Sequence, residues 1–197
     1  MVGEARLARL IASIAFGTLA FASFAQQPAP SSPAWNVVGG CRDGKAQGPY
    51  ELRSKDGELR VAGAFNEGTR TGSFIFWREG GVREAHVPYD NGLRNGTVAT
   101  WYAGSPGREP PRQFESSWRH GVREGETRSW YANGRPRSKI DYRNGQIVAA
   151  QAWRDDGTPL GDTAARALAT KDEQRADVQY AEHDALVRDH PPPCVDR

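Results

Sequence analysis

Histidine and cysteine, which most often carry metal or redox chemistry, are scarce in this 197-residue chain, with four histidines and two cysteines. The cysteines form no C-x-x-C pair, and the histidines have no metal-ligand spacing: His86, His120, His183 and His190. A G-x-S-x-G elbow, a P-loop and a dinucleotide fingerprint are missing as well. We therefore predict a protein without catalytic residues, cofactor or metal. A hydrolase whose carboxylates are brought together by the fold is the alternative.

A hydrophobic run long enough for a comfortable membrane span is also missing. The longest apolar run, residues 10–24, follows Arg6 and Arg9 and ends in small residues that resemble an A-x-A cleavage site before position 26. This pattern is typical of a secretory signal peptide, so we predict one over residues 1–25 and a periplasmic or secreted location. A retained N-terminal anchor is the alternative.

The chain has little excess charge of either sign, with a formal net charge of +2. Signal-peptide removal takes away Glu4, Arg6 and Arg9, and this loss lowers the net charge to +1. A nearly neutral mature chain does not resemble a polyelectrolyte binder. Nucleic acid and strongly anionic membranes are therefore not predicted as partners, and we do not expect an integral membrane protein after cleavage.

Glycine, in contrast, recurs at fixed intervals. Gly44, Gly68, Gly92, Gly121 and Gly145 are separated by 24, 24, 29 and 24 residues. Three other positions recur with them: a glycine four residues later (Gly48, Gly72, Gly96, Gly125), an aromatic three residues earlier (Phe65, Tyr89, Trp118, Tyr142), and a tryptophan nine residues later (Trp77, Trp101, Trp130). Such a period indicates a repeat architecture, in which each unit buries its apolar face against its neighbours.

Each repeat has the pattern of a β-hairpin. Asp56-Gly57 and Asn133-Gly134 separate short stretches of alternating apolar and polar residues, and this arrangement is the strongest short-range hairpin signal. The Gly-x-x-x-Gly segments are then predicted to link one hairpin to the next. Residues 41–160 are therefore expected to form a mainly β domain, an elongated antiparallel sheet of about five hairpins and ten strands.

The segments outside the repeats have different compositions. Residues 26–40 are rich in Pro, Ser and Gly and are predicted to be a flexible leader. Residues 161–190 are rich in Ala, Arg, Glu and Asp and are predicted to form a helix before the tail, residues 191–197. A helix of about 27 residues spans roughly 40 Å, close to the roughly 45–50 Å width of ten strands.

The two cysteines lie at opposite ends of the mature chain. If the helix folds back along the sheet, it returns Cys194 close to Cys41. An even cysteine count in an exported chain favours a disulfide, which we predict between these residues, with the helix covering one sheet face. Two free thiols are the alternative.

The repeat resembles the bacterial variant of the MORN (membrane occupation and recognition nexus) repeat. The resemblance is carried by Tyr89–Gly92–Gly96–Trp101–Tyr102 and Trp118–Gly121–Gly125–Trp130–Tyr131–Asn133–Gly134. It implies a scaffold that makes protein–protein contacts and sometimes binds phospholipid. Such proteins are often labelled putative antitoxins, a label that an exported chain does not support. The chain departs from the pattern at Arg53, in five extra residues of the third repeat, and in its C-terminal segment.

The recurring tryptophans Trp77, Trp101 and Trp130 allow two interpretations. Strand alternation puts Phe74 and Phe76 on one sheet face and Trp77 on the other, so each face carries apolar residues that something should cover. The tryptophans either pack as core or form an exposed ladder for a peptide, a glycan or a partner strand.

Arginines recur two residues after the leading glycines, at Arg70, Arg94 and Arg123. They are expected to hold carboxylates or phosphates, or to lie over the aromatic rings, or to form a solvated edge. The insertion Gly104–Arg112, which contains Arg108, is the hairpin tip that we consider the best candidate for a specific contact.

These features together predict an exported scaffold or binding module for another protein. A binder of carbohydrate or lipid head groups at the cell envelope is the alternative.

Overall fold

The computed structural model describes residues 35–194 and consists of one antiparallel sheet with a long helix packed on one face. The predicted signal peptide, most of the predicted leader and the last three residues lie outside the described residues. A mainly β fold of successive hairpins with a C-terminal helix is therefore confirmed.

Within the described residues, the sheet has eleven strands that neighbour one another in chain order. They are β1 (Asn36–Arg42), β2 (Lys45–Arg53), β3 (Leu59–Asn66), β4 (Thr69–Trp77), β5 (Arg83–Asp90), β6 (Leu93–Arg94), β7 (Gly96–Trp101), β8 (Arg112–Arg119), β9 (Val122–Trp130), β10 (Pro136–Arg143) and β11 (Gln146–Ala152). The short strands β6 and β7 both pair with β5. A 3₁₀ turn, Glu79–Gly81, connects β4 to β5.

The first strand begins inside the segment that was predicted to be a flexible leader. Val37 pairs with Leu52 and Val38 with Glu51, so β1 adds a strand to the sheet from Asn36 onward. The prediction of a flexible leader up to residue 40 was wrong for this part. Two adjacent β-branched valines favour a strand over the flexibility that the neighbouring glycines suggest.

The leading glycines lie in two-residue turns that link the predicted hairpins, as expected: the turn with Gly68 joins the hairpin of β2 and β3 to that of β4 and β5. In the turn between β3 and β4, both Glu67 (φ 47°) and Gly68 (φ 85°) have positive φ, as a type I′ turn requires. The second glycine of each pair, such as Gly72, also has positive φ and lies where the strand pairing changes register. The Gly-x-x-x-Gly signature therefore encodes a tight turn followed by a bulge.

Hydrogen bonds between successive repeats explain most of the repeated positions. At the tight-turn edge, the leading glycine N–H donates to a carbonyl of the preceding repeat at 2.8–2.9 Å: Gly68 to Ala46, Gly92 to Arg70, Gly121 to Arg94, and Gly145 to Arg123. At the opposite edge, the side chain after each tryptophan donates to the tryptophan carbonyl of the next repeat: Arg78 to Trp101, Tyr102 to Trp130, and Tyr131 to Trp153. Each repeat is thus bonded to its neighbour at both ends of its strands.

The helix α1 (Asp162–Arg188) returns across the strands from β11 toward β1. Its buried residues follow one another at steps of four and three: Ala165, Ala169, Asp172, Ala176, Tyr180, His183 and Val187. This spacing keeps one stripe of the helix on the sheet.

Beyond α1, the Tyr50 hydroxyl donates to the His190 carbonyl at 2.8 Å. Cys194 then forms a disulfide with Cys41, with a Cα–Cα distance of 5.5 Å. The predicted disulfide and the predicted position of the helix are both confirmed.

Candidate binding site on the helix-free face

The recurring arginines lie beneath α1 and bind its carboxylates. Arg70 and Arg94 both donate to Asp184, and Arg123 donates to Glu173 and Asp177. A fourth arginine, Arg137 on β10, donates to both oxygens of Asp172 at 2.9 Å. The row of guanidiniums therefore holds carboxylates that the chain itself supplies.

These arginines also lie over aromatic rings of the repeat. The guanidinium carbon of Arg70 is 4.2 Å from the ring centre of Tyr89, that of Arg94 is 5.3 Å from Trp118, and that of Arg123 is 5.8 Å from Tyr142. Each arginine thus reaches the aromatic of the following repeat, and Arg123 is only 8% exposed. A solvated edge therefore does not describe this row. Stacking leaves the guanidinium edges free to donate to α1.

Asp184 is the carboxylate that two of the recurring arginines, Arg70 and Arg94, share. Its carboxylate also accepts a hydrogen bond from the Tyr89 hydroxyl at 2.7 Å. Burial of Asp184 opposes ionisation, but hydrogen bonds from Arg70 and Tyr89 and the charge of Arg94 outweigh burial and lower the pKa of the carboxyl. Burial also raises the pKa of the Tyr180 hydroxyl, which lies on the buried stripe of α1, to about 12.

A polar cluster that sequence reasoning missed is also buried between this face and α1. Asp172 is 4% exposed and accepts hydrogen bonds from Ser129 at 2.8 Å and from Arg137. Ser138 bonds to Ser129 at 2.6 Å. Since each carboxylate oxygen has a donor, this charged residue fits in the core without a ligand.

The three recurring tryptophans do not form one continuous ladder. Trp77 and Trp101 line the same groove on the sheet face opposite α1, which we call the helix-free face. Trp130 instead borders a narrow cavity of about 10 Å³ that reaches Asp172 under α1. The structure therefore brings two of the three together.

The groove on the helix-free face has a volume of about 500 Å³. Its lining combines apolar side chains with cations and polar groups: Ile75, Trp77, Arg83, His86, Thr97, Ala99, Trp101 and Arg112. Strand alternation explains this lining, because the intervening Phe74, Phe76, Val98 and Thr100 are buried on the α1 side.

Trp101 is a lining residue of the groove and is itself largely buried, at 3% exposed. The guanidinium carbons of Arg83 and Arg112 lie 4.9 Å and 5.0 Å from its ring centre. Arg112 is the cross-strand partner of Trp101, and Arg83 is the partner of Trp77. Sequence reasoning missed Arg83 and included Arg112 only as the end of the insertion, although a cross-strand position opposite a recurring tryptophan is a signal that could have found both.

His86 contributes a neutral hydrogen-bonding group to the groove. Its Nε2 lies 2.9 Å from the Ser73 hydroxyl. Burial and the charges of Arg83 and Arg112 lower the pKa of the His86 imidazole, which keeps the ring uncharged at neutral pH.

The insertion in the third repeat folds back onto the preceding repeat. A Cβ built on Gly80 would lie 3.1 Å from Pro106, and one built on Gly104 would lie 3.6 Å from Val82. This position brings Glu109 to Arg83, with an N–O distance of 3.4 Å. Arg108 is exposed and borders a second hollow of about 260 Å³ beside the groove.

Residues 35–194 contain no group of three His, Cys, Asp or Glu side chains arranged to hold a metal ion. In the same part of the chain, no helix has the length and apolar character needed to cross a membrane. No protein-family model matches the chain, and no curated protein matches it.

Proposed function

We propose that this protein is an exported binding module that holds another protein against its helix-free face. The observation that carries the proposal is the difference between the two sheet faces. The helix α1 covers one face, whereas Trp77 and Trp101 line an open groove on the other. Tryptophan and arginine are the side chains that most often dominate protein–protein binding energy. The proposed activity is binding rather than catalysis.

Two further observations support the cellular and family context of this proposal. The disulfide between Cys41 and Cys194 favours an oxidising compartment, and we infer a periplasmic or secreted location from it and from the predicted signal peptide. We also propose that the chain is related to the bacterial MORN-type repeats. The glycines and the Trp-Tyr pairs that carry that resemblance make the hydrogen bonds between successive repeats.

Site-specific photo-crosslinking tests the proposed binding face. A photoreactive phenylalanine derivative replaces Thr97, an exposed residue of the groove, in the mature protein, residues 26–197. The matched control carries it at Val178, which is 62% exposed on the outer side of α1. Irradiation in an envelope extract should link a specific protein to the Thr97 variant only.

A third variant separates groove binding from incidental contact. Trp77→Ala, combined with the crosslinker at Thr97, should lose most of the linked product while keeping the same thermal unfolding temperature to within a few degrees. Equal crosslinking from Val178 would contradict the proposal. If instead an envelope glycan is captured and no protein is, carbohydrate binding replaces it.

A further inference from the structure

We propose that the groove on the helix-free face recognises a carboxylate side chain of its protein partner, with Arg83 as the main donor. We further propose that Glu109 of the chain's own loop occupies this position in the free protein. The inference rests on the proposed function and specifies the chemistry of the segment that the groove accepts.

The α1 side of the sheet shows how this fold binds carboxylates. There, Arg70 stacks on Tyr89 and Arg94 stacks on Trp118, and the edges of both guanidiniums donate to Asp184. An arginine fixed on an aromatic ring is thus the carboxylate-binding unit of the repeat.

On the helix-free face, Arg83 and Trp101 form the same kind of unit, but no helix within residues 35–194 supplies a carboxylate to the arginine there. Arg83 lies 4.9 Å from the Trp101 ring centre, and its side chain is 44% exposed. Among the described residues, Glu109 is the one ion-pair partner of its guanidinium, so the other N–H groups are available to a partner.

Arg112 also lies over the Trp101 ring, at 5.0 Å from its centre, and pairs with Glu115 on its own strand. It adds positive charge to the groove but has a carboxylate partner already. Arg83 is therefore the donor that we expect a partner carboxylate to contact first.

Glu109 already approaches Arg83 from within the chain. Its Oε1 is 3.4 Å from the Arg83 nitrogen, and its side chain is 64% exposed. An exposed ion pair of this kind is weak and easily displaced. Pro110, buried beside Glu109, keeps the loop in place, so displacement of the carboxylate does not require the loop to unfold.

Titration calorimetry with two blocked peptides tests the inference directly. Hexaglutamate, acetylated and amidated, should bind the mature protein at low ionic strength, and hexaglutamine should not. Arg83→Gln should weaken hexaglutamate binding by at least about tenfold. Arg119→Gln removes the same charge from an exposed site outside the groove and should weaken it less than about twofold.

Glu109→Gln provides a test that loss of folding cannot mimic, because it should strengthen hexaglutamate binding by about two- to fivefold. Equal weakening by Arg83→Gln and Arg119→Gln would mean general charge attraction and would overturn the inference. So would the absence of hexaglutamate binding. If crosslinking from Thr97 still captures a protein in that case, the proposed function stands and only the carboxylate specificity fails.

Discussion

Asp184 connects α1 to two repeats at once, because Arg70 and Arg94 belong to different hairpins and both donate to it. Since the pKa of its carboxyl is below the ordinary value of 3.8, Asp184 stabilises the fold at pH values above 3.8. This contribution is lost as the pH falls through the lower pKa of the folded state. The acid sensitivity of the fold should therefore depend on this residue.

The first prediction concerns the substitution Asp184→Asn. It should lower the free energy of unfolding by about 2 kcal/mol at pH 7, because two arginines lose their charged partner. The difference from the unmodified protein should be smaller at pH 3 than at pH 7, because the contribution of Asp184 decreases as the pH falls below 3.8. Urea unfolding at pH 7 and pH 3 measures both values. Asp189→Asn is the control, since Asp189 pairs only with its neighbour Arg188 among the described residues; an equal effect there would contradict the account.

The second prediction concerns Gly63, which lies beneath a buried aromatic ring. A Cβ at this position would lie 2.6 Å from the ring of Phe74, which is fully buried. Gly63→Ala should therefore lower the free energy of unfolding by about 1–3 kcal/mol, since the ring must move into a packed core. Chemical denaturation measures the loss. Gly161→Ala, with no atom within 4 Å of the added Cβ, should cost less than about 1 kcal/mol, and equal losses would argue against this packing.

Some properties of α1 could be predicted from the sequence and others could not. Its length and its position were predictable, because residues 162–189 lack Gly and Pro and match the width of the sheet. The buried stripe was predictable at its five apolar positions but not at the other two. Asp172 and His183 lie on it, and polar residues seldom indicate a core face. The serines and Arg137 that satisfy Asp172 come from strands that only the tertiary structure brings beneath it.

The third prediction concerns the link between the end of α1 and the first hairpin. The disulfide between Cys41 and Cys194 closes a loop with a sequence separation of 153 residues. Replacing both cysteines by serine should lower the free energy of unfolding by about 2–5 kcal/mol while the fold is kept, because the arginine–carboxylate pairs still hold the helix. Calorimetry and circular dichroism measure these two properties. Unchanged stability, or loss of the helix, would contradict the prediction.

At the scale of the whole molecule, local sequence signals were sufficient to predict the sheet but not to predict the lining of the groove. Tight turns at fixed intervals encode a sheet of neighbouring hairpins, because each turn brings together residues close in sequence. The groove instead depends on which long side chains meet across several strands. Arg83 reaches Trp101 although they lie 18 positions apart on different repeats. Cross-strand pairing places Arg83 opposite Trp77, but no local pattern specifies its contact with Trp101. Of the residues that line the groove, only Trp77 and Trp101 were therefore predicted as binding residues.

The two faces of the sheet thus share one structural feature, an arginine that lies over an aromatic ring. Arginines stacked on aromatics bind the chain's own helix on one face, and on the other face Arg83 lies over Trp101 beside the exposed Glu109 of the insertion. Under the proposed function, this division lets a repeat with a single signature serve both as scaffold and as binding surface.

The most direct test of this division follows the six tryptophan indole N–H groups by NMR during a titration with hexaglutamate. The signals of Trp101 and Trp77 should shift, while that of Trp118, stacked beneath Arg94 on the α1 side, should not. Indole signals that shift only for Trp118, or for no tryptophan, would contradict the account.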